Sequence, residues 1–298
     1  MTLTDRAKAA VRPLRTSRIG RVAADELLIA QSGRLGANRW SADLLCRCSI
    51  YDMAGRTERV GTVGALTTLF FELVERLHIE RFVEAGAKDG AASIRAAAMS
   101  SVAEVVAFEA NPYTHERFNP QLREHGVRHE HKALSDHEGV VEFLVRLNSH
   151  GRPIADGQAS LLERPDYAPG HARVAVDAVT LDGYFGAPSG IRTAIWMDVE
   201  GATSMVVRGG RNVLADTEVA IIEVEERASW EGQEWLRVDV VREMRRLGLV
   251  PLARDRQSRY QFNIVFVREE RRRDPSVEDA LQSWRRQIRA LGRGADDQ

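Results

Sequence analysis

From Arg81 onward the sequence alternates short apolar runs with stretches of helical spacing, and that rhythm limits the folds open to it. Runs of strand length lie at Arg81–Ala85, Glu104–Phe108, Val127–Leu134, Thr193–Met197, Glu218–Val224 and Tyr260–Val267. Helical segments fall between several of them, at Ala91–Ser101, Pro112–His125, Thr203–Leu214 and Trp235–Leu247. This pattern predicts an α/β fold, a mainly parallel sheet covered on both faces. Gly139–Arg146 (GVVEFLVR) alternates Val141, Phe143 and Val145 with its neighbours and predicts a further strand. Ala65–Leu77 has helical spacing, and the last apolar stripe, Val277, Leu281, Trp284, Ile288 and Leu291, predicts an amphipathic helix capped by Ser276. That stripe packs either on its own domain or on a second subunit, as in a homodimer.

A chain of 298 residues can bury a large core, and a formal net charge of −1 argues against a general nucleic-acid binder. Arginine replaces lysine almost everywhere; Lys8, Lys88 and Lys132 are the exceptions. Cys46 and Cys48 are too few and too close for a disulfide framework, and they make no zinc site without further ligands. No stretch approaches the ~20 apolar residues of a membrane span, and the N-terminus lacks the apolar centre of a signal peptide, so a cytoplasmic protein is expected. The basic stretch Arg6, Lys8, Arg12, Arg15, Arg18 and Arg21 reads as a solvated face, with an anionic surface as the rival reading. Asn148–Arg173 is polar and rich in Gly and Pro; loops this long are binding loops or plain surface insertions.

The turn in RFVEAGAKDGAAS, Arg81–Ser93, carries the chemistry. A strand ends beside Glu84, Gly86 and Gly90 let backbone approach a ligand, and a helix begins with its free N–H groups facing the crevice. The glycines are spaced G-x-x-x-G, not the G-x-G-x-x-G of dinucleotide sites, and Lys88 is misplaced for a phosphate loop. An acid at this turn repels pyrophosphate and suits a cation; S-adenosylmethionine carries an ammonium and a sulfonium. Glu109 closes the next strand, where an acid can accept from ribose hydroxyls.

In order, FVEAGAKDGAAS, VVAFEANP, KALSDHEGVVEFLV, VDAVTLDGYF, WMDVEGATSMVVRGG and IIEVEE resemble the FkbM family of class I S-adenosylmethionine-dependent O-methyltransferases, over about Leu66 to Val267. The resemblance implies a Rossmann-like sheet of seven strands whose last strand, Tyr260–Val267, is antiparallel, with a helical N-terminal extension and a C-terminal helix. It divides the chain into an extension (1–64), a methyltransferase domain (65–270) and a terminal helix and tail (271–298). It implies donor contacts from Glu84, Gly86, Ala87 and Gly90 to the methionine part, from Glu109 to ribose, and from Ala110, Ala133, Leu134 and Ser135 around adenine. Family members methylate hydroxyls on sugars, glycans and polyketides, so the implied acceptor is a carbohydrate or a glycosylated small molecule.

Such a hydroxyl needs help to lose its proton. Asp198 ends the fourth strand, beside the donor's sulfonium in this topology, and is the first candidate for both donor contact and catalysis. Glu200 follows, and Glu223 and Glu225 end the neighbouring strand. These acids can act as a base or hold a divalent cation such as Mg²⁺, with Asp198 and Glu225 as the expected ligands. Glu200 can instead cap the next helix. His150 and His171 flank the long loop, while His115, His129 and His131 are further candidate bases. Trp230, Trp235 and Tyr167 can stack on a sugar, whereas Trp196 is expected in the core. A nucleic-acid methyltransferase is the main rival; its base-amino enzymes usually show an N-P-P-Y-like turn where this chain has MDVEG. A non-catalytic donor-binding module and a dehydrogenase follow.

Overall fold

The computed structural model describes residues 56–166, 170–186, 188–255, 257–258 and 260–293. The cysteine pair, the basic N-terminal stretch and Tyr167 lie outside them. The main sheet has seven strands: β1 (Arg81–Ala85), β2 (Glu104–Phe108), β3 (Arg128–Glu130), β7 (Thr193–Met197), β8 (Thr217–Glu225), β9 (Leu249–Arg254) and β10 (Gln261–Arg268). Their order is β3-β2-β1-β7-β8-β10-β9, with β10 antiparallel to both of its neighbours. A second sheet of β4 (Ala133–Leu134), β5 (Gly139–Arg146) and β6 (His171–Val179) is ordered β4-β6-β5.

Helices cover both faces of the main sheet, as the buried strands require. On one face α1 (Arg56–Arg76), α2 (Ala91–Ala97), α3 (Pro112–Glu124) and α8 (Pro275–Arg293) enclose a core with Phe70, Phe82, Leu122 and Val265 at zero exposure. On the other, α4 (Leu181–Phe185), α5 (Thr203–Arg208), α6 (Arg211–Ala215) and α7 (Arg237–Arg246) pack around Ile195, Ile222 and Phe262. The strand order reverses between β1 and β7, so the crevice for a ligand lies where Gly86 and Asp198 leave the sheet.

The local structure corrects several expectations. Val127–Leu134 is not one strand: polar His131 and Lys132 take the chain off the sheet edge, and Ala133–Leu134 pairs with β6 instead. The helix expected over Thr203–Leu214 breaks at Gly209–Gly210. A Cβ on Gly209 would stand 2.1 Å from the Ser135 carbonyl oxygen, so the turn exists to let two backbones touch. Asp274, not Ser276, caps α8: its Oδ1 accepts from the Ser276 backbone N–H at 2.9 Å, with Pro275 opening the helix.

The stripe of α8 packs on its own domain. Val277, Leu281, Trp284 and Ile288 are buried against α1, and Leu291 lies where a Cβ on Gly61 would meet its methyl at 2.6 Å. Helix α1 begins at Arg56, ahead of the boundary expected at 64/65. No described helix is long and apolar enough to cross a membrane.

Candidate active site

Two hollows open at the carboxyl ends of the strands, and Gly86, Lys88 and Asp198 wall both of them. The first holds about 630 Å³ of space between its walls and the second about 730 Å³, each including space open to solvent.

Glu109, Phe108, Ala110, Ala133, Leu134 and Phe143 line the first. Phe108, Ala110, Ala133, Leu134 and Phe143 give it apolar walls, and Glu109, Asp156, Asp198 and Glu200 supply carboxylates. Lys88 and Lys132, two of the chain's three lysines, also line it. Glu109 accepts from the backbone N–H groups of Lys88 and Asn111, both at 2.7 Å, which fixes its carboxylate and leaves lone pairs for a diol. Burial pushes its pKa up to about 7 against the pull of those hydrogen bonds.

The long loop closes this hollow. Asp156, Gly157, Ala159 and Leu161 line it. The loop is pinned by Asn111 Nδ2 to the Ile154 carbonyl (3.1 Å), by Thr114 to the Asp156 carbonyl (3.3 Å) and by Ser160 Oγ to the Glu200 carbonyl (2.7 Å). A Cβ on Gly157 would lie 2.8 Å from Lys88 Cδ, so the loop tip rests on the glycine-rich turn.

The second hollow has Glu84, Ala87, Asp89 and Trp196 among its walls. Glu84 accepts from the backbone N–H of Ser93 at 3.0 Å and from its hydroxyl, in the first turn of α2. Burial lifts its pKa to about 8. Gly86 has φ +79°, its N–H donates to the Phe108 carbonyl at 3.0 Å, and a Cβ there would stand 1.9 Å from the Asp198 carbonyl oxygen. Gly90 lines neither hollow. Its glycine is required by φ +64° and by Leu122, whose side chain a Cβ would meet at 2.5 Å. Lys88 between them keeps φ +49° without being glycine, a strained conformation of the kind that gathers at functional sites.

At the junction of the hollows carboxylates gather. Asp198, Glu200 and Glu223 each present an oxygen within 4.8 Å of the others. Gln261 Nε2 donates to Glu223 at 2.7 Å and to Glu200 at 3.4 Å, and Asp198 Oδ1 is buried with no hydrogen-bond partner among the described residues. Burial raises the pKa of all three, Glu200 to about 8, and the neighbouring acids push Glu200 and Glu223 further the same way. Glu200 has φ +48° and is followed by Gly201 at +86°, a bend packed under the Trp230 ring. This geometry does not bring the expected pair of ligands, Asp198 and Glu225, into one cluster. Glu225 lies outside the cluster, two residues past Glu223 on the same face of β8 and opposite Gln261, with a pKa raised by burial to about 7. Glu223 takes its place, and Glu200 faces the cluster rather than capping α5.

Other expected residues do not gather here. Ser135 is buried, donates its N–H to the Val179 carbonyl and lines neither hollow. His150 and His171 line neither hollow. His115, His129 and His131 stack together beside β3, with ring centroids 4.3 and 5.1 Å apart. Trp196 packs edge-on to Phe70 at 5.5 Å while walling the second hollow. Trp230 is buried and Trp235 packs on the core under Arg208.

The raised glutamate pKa values have a consequence for stability. Glu84, Glu109, Glu200 and Glu225 hold protons in the folded state up to about pH 7–8 that the unfolded chain releases near pH 4.5. Their contribution is therefore present at low pH and lost as pH rises through 7–8. Urea denaturation of the ligand-free protein should show unfolding free energy falling between about pH 5.5 and 8, with a shallower fall in Glu200→Gln. A stability that climbs across that window, or a Glu200→Gln slope equal to wild type, would contradict these shifts.

Seven strands in this order, with one antiparallel strand set inside the far edge, make a Rossmann-like class I methyltransferase fold. The sequence profile described as the methyltransferase FkbM domain matches residues 84–292, and the chain belongs to that family of S-adenosylmethionine-dependent methyltransferases. Solved structures give more distant likenesses. One is described as a pericyclic reaction enzyme (11% identity, TM-score 0.35, covering 67% of this chain and 46% of that one). Another is the methyltransferase domain of bacterial CtHen1-CN (13%, 0.35, 71% and 98%). A third is an rRNA methylase from Streptococcus thermophilus (11%, 0.34, 72% and 98%). Likenesses this remote say nothing about the chemistry of this chain. A search of curated proteins gives no match.

Proposed function

We propose that the protein transfers a methyl group from S-adenosylmethionine to a hydroxyl of a sugar, an oligo- or polysaccharide, or a glycosylated small molecule. The observation that carries this reading is the carboxylate cluster of Asp198, Glu200 and Glu223 at the junction of the two hollows. The donor supplies an electrophilic methyl on sulfur, and the acceptor oxygen displaces it in line. Glu109 would hold the ribose, with adenine between Ala110, Ala133 and Leu134. Glu84, Gly86 and Ala87 would border the methionine part. Asp198 would take the hydroxyl proton, with Glu200 and Glu223 sharing the charge through Gln261.

A hard divalent cation fits the same cluster, because its donors are all oxygens and one of them, Asp198 Oδ1, lacks a partner. Bound there, Mg²⁺ would acidify the hydroxyl. Asp198, Glu200 and Glu223 would be its ligands, and Glu225 would stay outside.

A labelled-methyl screen tests the acceptor class. Label from the donor should enter sugars or oligosaccharides with an intact hydroxyl, and not RNA or DNA. Label in nucleic acid and none in any carbohydrate would replace this reading with the nucleic-acid one.

A further inference from the structure

The amino-acid end of the donor carries a carboxylate as well as an ammonium, and the family turn offers it two acids, Glu84 and Asp89, and one cation, Lys88, whose side chain lies against Gly157 of the long loop. The second hollow contains one guanidinium, that of Arg95. Arg95 lies in the last turn of α2 and forms no ion pair among the described residues. Its guanidinium carbon stands 4.2 Å from the centroid of the Phe71 ring. Phe71 is 3% exposed and stacked on Phe82 at 6.1 Å, so the ring under the arginine is anchored in the core. A guanidinium seated on a fixed aromatic face keeps its outer edge free for a carboxylate.

The hollow is thus polarised. Glu84 and Asp198 stand on the sheet side, Lys88 and Asp89 in the turn, and Arg95 further along α2, where Thr67 and Phe71 of α1 complete the wall. An ammonium beside the acids and a carboxylate beside the arginine match that polarity; the reverse orientation places like charges together. Residues Thr67 and Phe71 precede the region 84–292 that defines the family, so this part of the wall belongs to the preceding helix.

We propose that Arg95, held by Phe71, is the counter-ion of the donor's carboxylate, making α1 and α2 together the reader of the donor's amino-acid end. The inference rests on the donor reading above. Calorimetric titration with two nucleosides separates the two claims: S-adenosylhomocysteine keeps the amino acid, and methylthioadenosine lacks it. Arg95→Leu should weaken S-adenosylhomocysteine roughly 10- to 100-fold and change methylthioadenosine by less than about threefold. Arg95→Lys should recover part of the loss, because it restores charge without the bidentate fork. An arginine that only supports the end of α2 would weaken both ligands together, and that outcome, or no change in either, overturns the proposal. Wild-type protein that binds neither nucleoside defeats the donor reading itself, and the proposal with it.

Discussion

Asp198→Asn is expected to keep donor affinity within about fivefold of wild type and to lower turnover by roughly 10²–10⁴-fold, the range for loss of a positioned acid–base group. The substitution keeps shape and removes one charge. Asp198 stands at the junction of both hollows, and its Oδ1 has no hydrogen-bond partner among the described residues to compensate its burial. Its neighbours Glu200 and Glu223 raise the cost of ionising the group as a whole. Removing one acid should relieve that repulsion, so the variant should be as stable as wild type at pH 8, or more stable, while losing activity. Comparing kcat with the melting midpoint at pH 8 checks both halves. A variant that turns over like wild type removes Asp198 from the chemistry; one that loses activity only because it unfolds assigns the residue to structure.

Gly86→Ala is expected to be as damaging by a different route. Its φ of +79° disfavours any side chain, and the new Cβ would lie 1.9 Å from a backbone oxygen that cannot rotate away. Strain and overpacking together should cost roughly 2–5 kcal/mol. The backbone can relieve the clash only by parting β1 from the segment after β7, which widens the junction of the two hollows. Donor binding should therefore fall by more than about tenfold even under conditions where the variant is folded. Gly90→Ala is the useful control. It also strains a positive φ, but its Cβ meets the side chain of Leu122, and it lines neither hollow. It should lose stability with donor affinity less affected. Circular dichroism in urea and calorimetry on the same samples would show whether the two effects separate in this way; equal loss of affinity in both variants would not fit.

The central strands were legible because they are buried on both faces. Arg81–Ala85, Glu104–Phe108 and Thr193–Met197 are short, largely apolar runs with observed bounds equal to the expected ones. Leu249–Arg254 escaped notice because Pro251 sits inside it; as an edge strand with a register shift opposite, it tolerates a proline that a central strand would not. His171–Val179 escaped because Arg173, Ala175 and Asp177 along it face solvent, and because a Gly/Pro-rich loop runs into it. The acids were visible as a group. Which of Glu223 and Glu225 meets Asp198 was not, since both share one face of a strand and only the three-dimensional register against β7 distinguishes them. The packing of Gly90 against Leu122 was not legible either, since spacing along the chain does not encode which side chain lies over a turn. Arg95 belongs to no motif, and its meaning comes from Phe71 on another helix.

The most direct measurement is a crystal structure of the protein grown with S-adenosylhomocysteine. The expected result is adenine between Ala110, Ala133 and Leu134, ribose hydroxyls on Glu109, and the sulfur at the junction facing the Asp198 carboxylate. A nucleoside bound elsewhere, or ribose away from Glu109 with the sulfur turned from Asp198, would contradict the account.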